Sequence, residues 1–204
     1  MSIDSISEAP RPREGRIERK TRETDITIAV NLDGTGRAQV ASGVGFLDHM
    51  LNALACHSGI DISLACKGDL EVDDHHTVED CALALGAAID QALGDRRSIV
   101  RFGSAYAPLD EALARAVIDL ATRPTAVVDL GLTREKLGDL SCENADHFFR
   151  SLAMAGRFCL HVDVLRGEND HHRLEAAFKA CALAFKQALR LTTEMAARST
   201  KGVL

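Results

Sequence analysis

The sequence predicts an α/β protein made of two tandem pseudo-repeats, each with a roughly four-stranded sheet and two helices. The first observation is a motif: the segment 74–79, Asp-His-His-Thr-Val-Glu, recurs 96 residues later as Asp-His-His-Arg-Leu-Glu. The second is an upstream Asp-His pair at 48–49, which recurs 98 residues later at 146–147. Between these two features, each half contains one run of alternating polarity, as expected of a half-buried strand.

The first half is predicted to contain strands, then a helix, a strand and a helix. Alternating runs predict the strands, and an apolar-periodic run that follows the His-His motif predicts the long second helix. The predicted elements are strands at 16–24, 25–32 and 38–41, a helix around 46–51, a strand at 60–65 and a helix through 82–93.

The second half repeats that order after a junction at Gly94-Asp95-Arg96-Arg97. Segment 110–120 is rich in good helix formers, so propensity alone would favour a helix there, whereas the repeat favours a strand. The predicted elements are strands at 104–107, 112–120 and 126–130, a helix around 145–149, a strand at 159–164 and a helix through 176–191. The predicted divisions are a disordered leader (1–13), a first repeat (14–103), a second repeat (104–198) and a C-terminal tail (199–204).

The bulk composition indicates an ordinary globular protein. A formal net charge of −6 argues against a general nucleic-acid binder. No run approaches the ~18 apolar residues of a membrane span, and the polar N-terminus has no apolar signal region. None of the six cysteines has C-x-x-C spacing, which favours small buried thiols over disulfides or a thiolate metal site. We therefore expect a cytoplasmic protein without nucleic-acid or membrane partners.

Six of the eight histidines fall in the repeated positions, together with two glutamates. In a helix, His75 and Glu79 share a face, and the adjacent His76 points about 100° away. Imidazole and carboxylate suit Zn, Mn or Fe, and two six-coordinate ions with open positions favour Mn over Zn. The predicted metal ligands are His49, His75, His76, Glu79, His147, His171, His172 and Glu175.

The repeat also predicts how these ligands divide between two ions. One set is His75, Glu79, His147 and His172, and the other is His171, Glu175, His49 and His76. The alternative is that the histidines are surface residues of helix starts that Asp74 and Asp170 cap. Capping does not require a His-His-x-x-Glu pattern twice, so we favour the metal sites. His57 and His161 lie outside the pattern.

At these motifs the sequence resembles the imidazoleglycerol-phosphate dehydratase family. Both histidine motifs match over 72–85 and 167–179, and agreement extends to 18–24, 46–51, 101–112 and 199–204. Thr200 and Leu109 are mild departures from the commoner residues. The resemblance implies a ribosomal S5 domain 2-like fold, with the helices packed together between the sheets.

The resemblance further implies a hydro-lyase of histidine biosynthesis with two Mn²⁺ per subunit. Its substrate would be D-erythro-imidazole glycerol phosphate and its product imidazole acetol phosphate. It also implies a homo-oligomer of about 24 chains, with active sites shared between neighbouring subunits.

The resemblance implies roles for residues outside the histidine motifs as well. Glu23 matches the family's acid/base carboxylate, although alone it would be taken for an ordinary exposed strand residue, and Glu18 is a weaker candidate. Guanidinium and ammonium groups bind phosphate well, whereas alone these positions would be solvated charges and a frayed terminus. The matching phosphate-binding positions are Arg101, Arg123, Ser199 and Lys201.

Two other functions stay open on the sequence. A different dinuclear enzyme, such as a hydrolase, uses the same ligand types to make a metal hydroxide. Alternatively, the metals are structural and join subunits of a cage-like assembly.

Overall fold

A computed structural model describes residues 12–193, which form two halves with the same order of elements. The first half contains β1 (Glu14–Lys20), β2 (Thr24–Asn31), β3 (Ala38–Ala41), α1 (Gly45–Ser58), β4 (Asp61–Gly68) and α2 (His75–Leu93). The second half contains β5 (Phe102–Leu109), β6 (Ala112–Asp119), β7 (Thr125–Asp129), the short hairpin β8 (Lys136–Leu137) and β9 (Leu140–Ser141), α3 (Cys142–Gly156), β10 (Cys159–Arg166) and α4 (Asp170–Ala188).

Each half has one four-stranded sheet, and the two sheets have the same topology. The strand orders are β1-β2-β4-β3 and β5-β6-β10-β7. In each sheet the last pair is parallel and the other pairs are antiparallel. A helix makes the crossover that a parallel pair needs: α1 between β3 and β4, and α3 between β7 and β10. The predicted α/β fold of two tandem pseudo-repeats is confirmed.

Strand β6 forms although its residues include good helix formers. Ala112, Ala114, Ala116 and Ile118 are buried and alternate with less buried residues, so this strand places every second side chain in the core. Pairing with β5 and β10 on both sides satisfies its backbone. Tertiary burial therefore overrides the local helix propensity, as the repeat predicted.

Some predicted boundaries are wrong. The first strand ends at Lys20, because the Thr21 hydroxyl accepts hydrogen bonds from the backbone N–H groups of Glu23 and Thr24 and closes a turn. The last helix ends at Ala188, and Leu191 instead forms an isolated bridge with Ile99. The β8–β9 hairpin was not predicted, because strands of two residues are too short to show a periodicity.

The four helices form two layers between the sheets, as the family resemblance implied. Helix α2 covers the first sheet and α4 the second, and α2 meets α3 while α1 meets α4 in the middle. The α2–α3 crossing is tight at Gly86, where a Cβ would lie 2.5 Å from the carbonyl oxygen of Leu152 and 2.7 Å from the nitrogen of Gly156. Only glycine allows this approach of the two backbones.

Arg96 lies buried at the junction of the halves, with 2% of its surface exposed. Its guanidinium donates to the carbonyls of Leu120, Ala121, Gly156 and Arg157, all in the second half. The same group pairs with Asp90 on α2, in the first half. The arginine thus binds backbone carbonyls of the second half and a carboxylate of the first half at the same time.

Aspartates from each half also hold helix starts of the other half. Asp139, in the β8–β9 turn, accepts hydrogen bonds from the backbone N–H groups of Gly45 and Phe46 at the start of α1. Asp74, just before α2, accepts from the backbone and hydroxyl of Ser141 at the start of α3. A carboxylate at a helix N-terminus accepts hydrogen bonds from free N–H groups and interacts favourably with the helix dipole. Both caps cross the junction.

Parts of the predicted organisation lie outside the described residues. These are residues 1–11 of the expected leader, residues 194–198 of the expected second repeat and the whole C-terminal tail, including Ser199 and Lys201. The boundaries proposed between the repeats stay predictions. Within residues 12–193, no helix combines the length and the apolarity that a bilayer crossing requires.

Candidate metal centre

Two clusters of ligand-type side chains lie at the starts of the long helices. The first cluster is His75 and Glu79 of α2 with His147 of α3; the imidazole nitrogens and carboxylate oxygens concerned all lie within 4.8 Å of one another. Glu79 Oε1 lies 3.1 Å from His147 Nε2, and Glu79 Oε2 lies 3.9 Å from His75 Nε2. The rings of His75 and His147 are stacked, with their centroids 5.0 Å apart.

The second cluster is the counterpart of the first in the other half. It is formed by His171 and Glu175 of α4 with His49 of α1. Glu175 Oε2 lies 3.1 Å from His171 Nε2 and 3.2 Å from His49 Nε2. Each cluster therefore takes two side chains from one half and one from the other, and contains three members of one predicted ligand set.

The donor chemistry of both clusters fits a divalent metal. In each, two imidazole Nε2 atoms face one carboxylate, the ligand types that Mn, Fe and Zn accept. His147 Nε2 is buried, and within the described residues it has no hydrogen bond of acceptable geometry despite its proximity to Glu79. A buried nitrogen without a hydrogen-bond partner costs free energy, and a bound cation would remove that cost.

Glu175 is held ionised by its neighbours. Burial alone would raise its pKa, but hydrogen bonds from Lys179 and His49 and the charge of Lys179 lower it to about 2. The Lys179 ammonium lies 2.7 Å from Glu175 Oε1, one turn further along α4. The carboxylate is thus available as an anionic ligand, although it shares its charge with a lysine.

The remaining predicted ligands, His76 and His172, are not part of either cluster in the single chain. His76 Nδ1 lies 3.0 Å from Asp69, and His172 Nδ1 lies 2.8 Å from Glu111. Each carboxylate raises the pKa of its histidine by hydrogen bonding. Carboxylates in this position commonly orient histidines that bind a metal through the other ring nitrogen.

Glu23 and Glu111 occupy equivalent places in the two halves but have different surroundings. Each stands immediately before the second strand of its sheet. Glu111 accepts hydrogen bonds from the backbone of Asn169 and Glu168 as well as from His172, which lowers its pKa to about 2. Glu23 is half exposed, and its Oε1 lies 3.7 Å from His76 Nε2. Of these two glutamates, Glu23 is the one whose carboxylate has no hydrogen bond among the described residues and lies beside a motif histidine.

The predicted phosphate-binding arginines lie away from the clusters of their own chain. Arg101 forms a forked ion pair with Asp119, and Arg123 is exposed in the β6–β7 loop. Both are at the end of the second sheet where β10 begins, because Asp119 pairs with Cys159. The α4 start lies beyond the other end of this eight-residue strand, roughly 25 Å away at 3.3 Å per residue. One chain does not bring the arginines and its own clusters together.

Four side chains near the clusters were not assigned from the sequence: Asp69, Glu111, Asn144 and Lys179. Lys179 was detectable, because it stands four residues after Glu175 on the same helix. The other three approach motif histidines from loops or from another helix, and no sequence spacing connects them. Their roles could be seen only in the folded chain.

Comparisons with known proteins point to one family. The model of the imidazoleglycerol-phosphate dehydratase family matches residues 42–185. A protein of that name from Phytophthora nicotianae is 57% identical over 94% of this chain, which spans 42% of that longer protein. The Kluyveromyces lactis protein of that name is 52% identical over 94% of this chain and 97% of its own length. The crystal structure of the dehydratase from Staphylococcus aureus superposes with a TM-score of 0.80 at 35% identity, over 88% of this chain and 99% of that one.

Proposed function

This chain belongs to the imidazoleglycerol-phosphate dehydratase family, and on that premise we propose that it dehydrates D-erythro-imidazole glycerol phosphate to imidazole acetol phosphate in histidine biosynthesis. The observation that carries the proposal is the pair of His–His–Glu clusters, built twice by the same motif. Bound ions would supply Lewis acidity toward the substrate's imidazole, whose reaction is difficult because no carbonyl stands beside the C–H to be broken.

We propose Mn²⁺ as the metal, with two ions per subunit. The clusters offer nitrogen and carboxylate oxygen without thiolate, and three protein ligands each leave room for a fourth. His172 would complete the first cluster and His76 the second. Because both lie outside the clusters of their own chain, a neighbouring subunit would supply them.

Glu23 is proposed as the acid/base carboxylate. Its exposed side chain lies beside His76, so a neighbour's ion held by that histidine would bring substrate next to it. The corresponding Glu111 differs, because hydrogen bonds from His172 and from two backbone amides hold its carboxylate in place. A single mobile carboxylate at this position can remove a proton and return it at another atom.

Arg101 and Arg123 are proposed to bind the substrate phosphate, with Ser199 and Lys201 of the C-terminal tail. Guanidinium groups bind phosphate oxygens through two parallel hydrogen bonds. The arginines lie too far from the chain's own clusters, which supports active sites shared between subunits.

Assembly into a particle of about 24 chains is proposed on the family resemblance. The outer face of the second sheet supports self-association, because Phe102, Tyr106, Val117 and Val127 are exposed there. Large apolar side chains exposed on one face of a sheet are common at protein–protein contacts. The six cysteines are free thiols, which supports a location in the reducing cytoplasm.

The deciding experiment is turnover by the Mn-loaded full chain and its Glu23→Gln variant. The wild type should form the ketone product, and the variant should lose about 10²–10⁴-fold in kcat while keeping metal content and particle size. Glu18→Gln is the matched control, since that side chain pairs with Arg16 on an exposed strand; its rate should stay near that of the wild type.

Three other outcomes would count against the proposal. Absence of ketone product from imidazole glycerol phosphate would exclude the dehydratase reaction and leave a hydrolase. Unchanged turnover in Glu23→Gln would exclude that residue as the acid/base. Indifference of both turnover and assembly to a chelator would exclude any role of metal.

A further inference from the structure

Two buried polar side chains, Asp74 and Asn144, lead to one histidine of the first cluster. His75 Nδ1 lies 2.9 Å from Asn144 Oδ1. Asn144 is only 3% exposed. Burial alone would raise the pKa of Asp74, but hydrogen bonding from Ser141 and from the side-chain amide of Asn144 lowers it, which places that amide beside the carboxylate. Asp74 is fixed in turn by the backbone N–H and the hydroxyl of Ser141. The order Asp74–Asn144–His75 therefore links the start of α2 to the start of α3.

This series of hydrogen-bonded side chains fixes the tautomer of His75. A carboxylate accepts hydrogen bonds, so the NH₂ group of Asn144 must face Asp74 and its oxygen must face His75. An amide oxygen cannot donate, so His75 carries its proton on Nδ1. The lone pair of Nε2 then points at Glu79 and His147, where a metal would bind. No ring rotation or tautomer change is needed before binding.

Among residues 12–193, the second cluster has no corresponding series of hydrogen-bonded side chains. Asn144 and Phe46 each stand three residues before the upstream histidine of their half, so they are counterparts. The Phe46 ring lies edge-on to His171, with centroids 5.0 Å apart, and provides no hydrogen-bond acceptor in its plane. The counterpart of Asp74 is Asp170, whose Oδ2 binds the backbone of Thr133 and Arg134. Its Oδ1 has no hydrogen-bond partner within residues 12–193.

The charges of the two clusters differ as well. In the second cluster, the Lys179 ammonium lies 2.7 Å from Glu175 and would repel a divalent ion bound to the same carboxylate. The position that corresponds to Lys179 in the first half is Leu83, which carries no charge. The orientation of His75 and the absence of a nearby lysine therefore both favour metal binding by the first cluster.

We propose that the two clusters are unequal metal sites, that the first cluster binds the tighter ion, and that Asn144 is the residue that positions His75 for it. This proposal rests on the metal role in the proposed function. At limiting metal, the first cluster fills before the second.

The test is a titration of the metal-free, full-length assembled protein with Mn²⁺, with the free ion measured by electron paramagnetic resonance. Wild type should show two classes of site whose dissociation constants differ by about tenfold or more, the size of effect that hydrogen bonds to ligands commonly have. His75→Ala should remove the tight class and His171→Ala the weak one, which assigns each class to its cluster.

The Asn144→Leu variant should weaken the tight class by about 10–100-fold and leave the weak class within about twofold. Phe46→Leu is the matched control at the corresponding position, and it should change neither class by more than about twofold, because no hydrogen bond is lost. A merely structural role of Asn144 would shift both classes together.

A second variant keeps the proposal testable if Asn144→Leu does not assemble. Lys179→Met should tighten the weak class roughly threefold or more, because it removes a cation from Glu175. Equal affinities in wild type, or the assignment of the tight class to His171, would overturn the proposal. Two unequal classes without dehydration would instead refute the proposed function and leave this inference intact.

Discussion

At the scale of single residues, the two halves differ in the carboxylate that binds Nδ1 of the motif's second histidine. His76 is held by Asp69, from the loop after β4, whereas His172 is held by Glu111, from the β5–β6 turn. The second histidine of the motif is thus oriented from a different element in each half. Since Asp69 performs this task in the first half, Glu23 is left uncommitted at the place that Glu111 occupies in the second.

Replacing Glu111 by Ala should lower metal affinity. His172 would lose the acceptor of its Nδ1, and a missing carboxylate of this kind costs about 10–100-fold in affinity. Metal per chain after dialysis, together with Mn²⁺ titration, measures the loss. Glu168→Ala is the control, because only the backbone of Glu168 binds Glu111. Retention of wild-type affinity by Glu111→Ala would show that His172 needs no orienting group.

The sequence predicted the contacts that follow from helix geometry. His171 and Glu175 are four residues apart on one helix, and His171 Nε2 lies 3.1 Å from Glu175 Oε2, a contact that this spacing allows. The approach of His147 to Glu79 was predicted only through the repeat. Asn144 was not predicted, because a hydrogen bond between two helix starts leaves no periodicity in the chain.

At the scale of elements, the α2–α3 crossing sets the distance between the ligands of the first cluster. Both helices carry side chains of that cluster, and their backbones approach closely at Gly86. Helix formers within β6 show the limit of local propensity, since the repeat predicted that strand correctly and the structure buries every second side chain of it. The turn at Thr21 shows the limit of alternation, which cannot mark where one strand ends and its neighbour begins.

The Gly86→Ala variant should destabilise the fold by about 1–3 kcal/mol, because the added methyl group must push α2 away from the backbone of α3. Urea unfolding at fixed protein and metal concentration measures this change. Because this movement would take Glu79 away from His147, the substitution should also weaken the tight class of metal site more than the weak class.

Gly45→Ala is the control for this substitution. A Cβ at Gly45 meets its nearest atom, Asp139 Oδ2, at 3.5 Å, an ordinary contact. We expect a change within about 0.5 kcal/mol. Equal stabilities of Gly86→Ala and wild type would mean that the crossing adapts without cost.

At the scale of the whole molecule, the halves are joined by polar groups as well as by apolar packing. The Arg96 guanidinium binds carbonyls of the second half and Asp90 of the first. Asp139 and Asp74 cap helices across the same junction. None of these contacts was predicted, because Arg96 stands in a charged segment that the sequence gives no reason to bury.

Replacing Arg96 by Met should destabilise the protein by about 3 kcal/mol, because several buried carbonyls lose their donor and Asp90 loses one of its two arginines. The midpoint of urea unfolding measures the loss. Arg97→Met is the adjacent control: Arg97 is exposed and lies 3.5 Å from Asp95, so its replacement should cost under about 0.5 kcal/mol. Equal midpoints for the two variants would contradict the role given to burial.

Because the two halves belong to one polypeptide, the surroundings of the two clusters can change independently. In a symmetric dimer of half-length chains, every substitution beside one cluster would appear beside the other, so both would remain identical. Within one continuous chain, position 144 can hold an amide while position 46 holds an aromatic ring. Each cluster is then free to be tuned separately, although the framework around both stays nearly twofold.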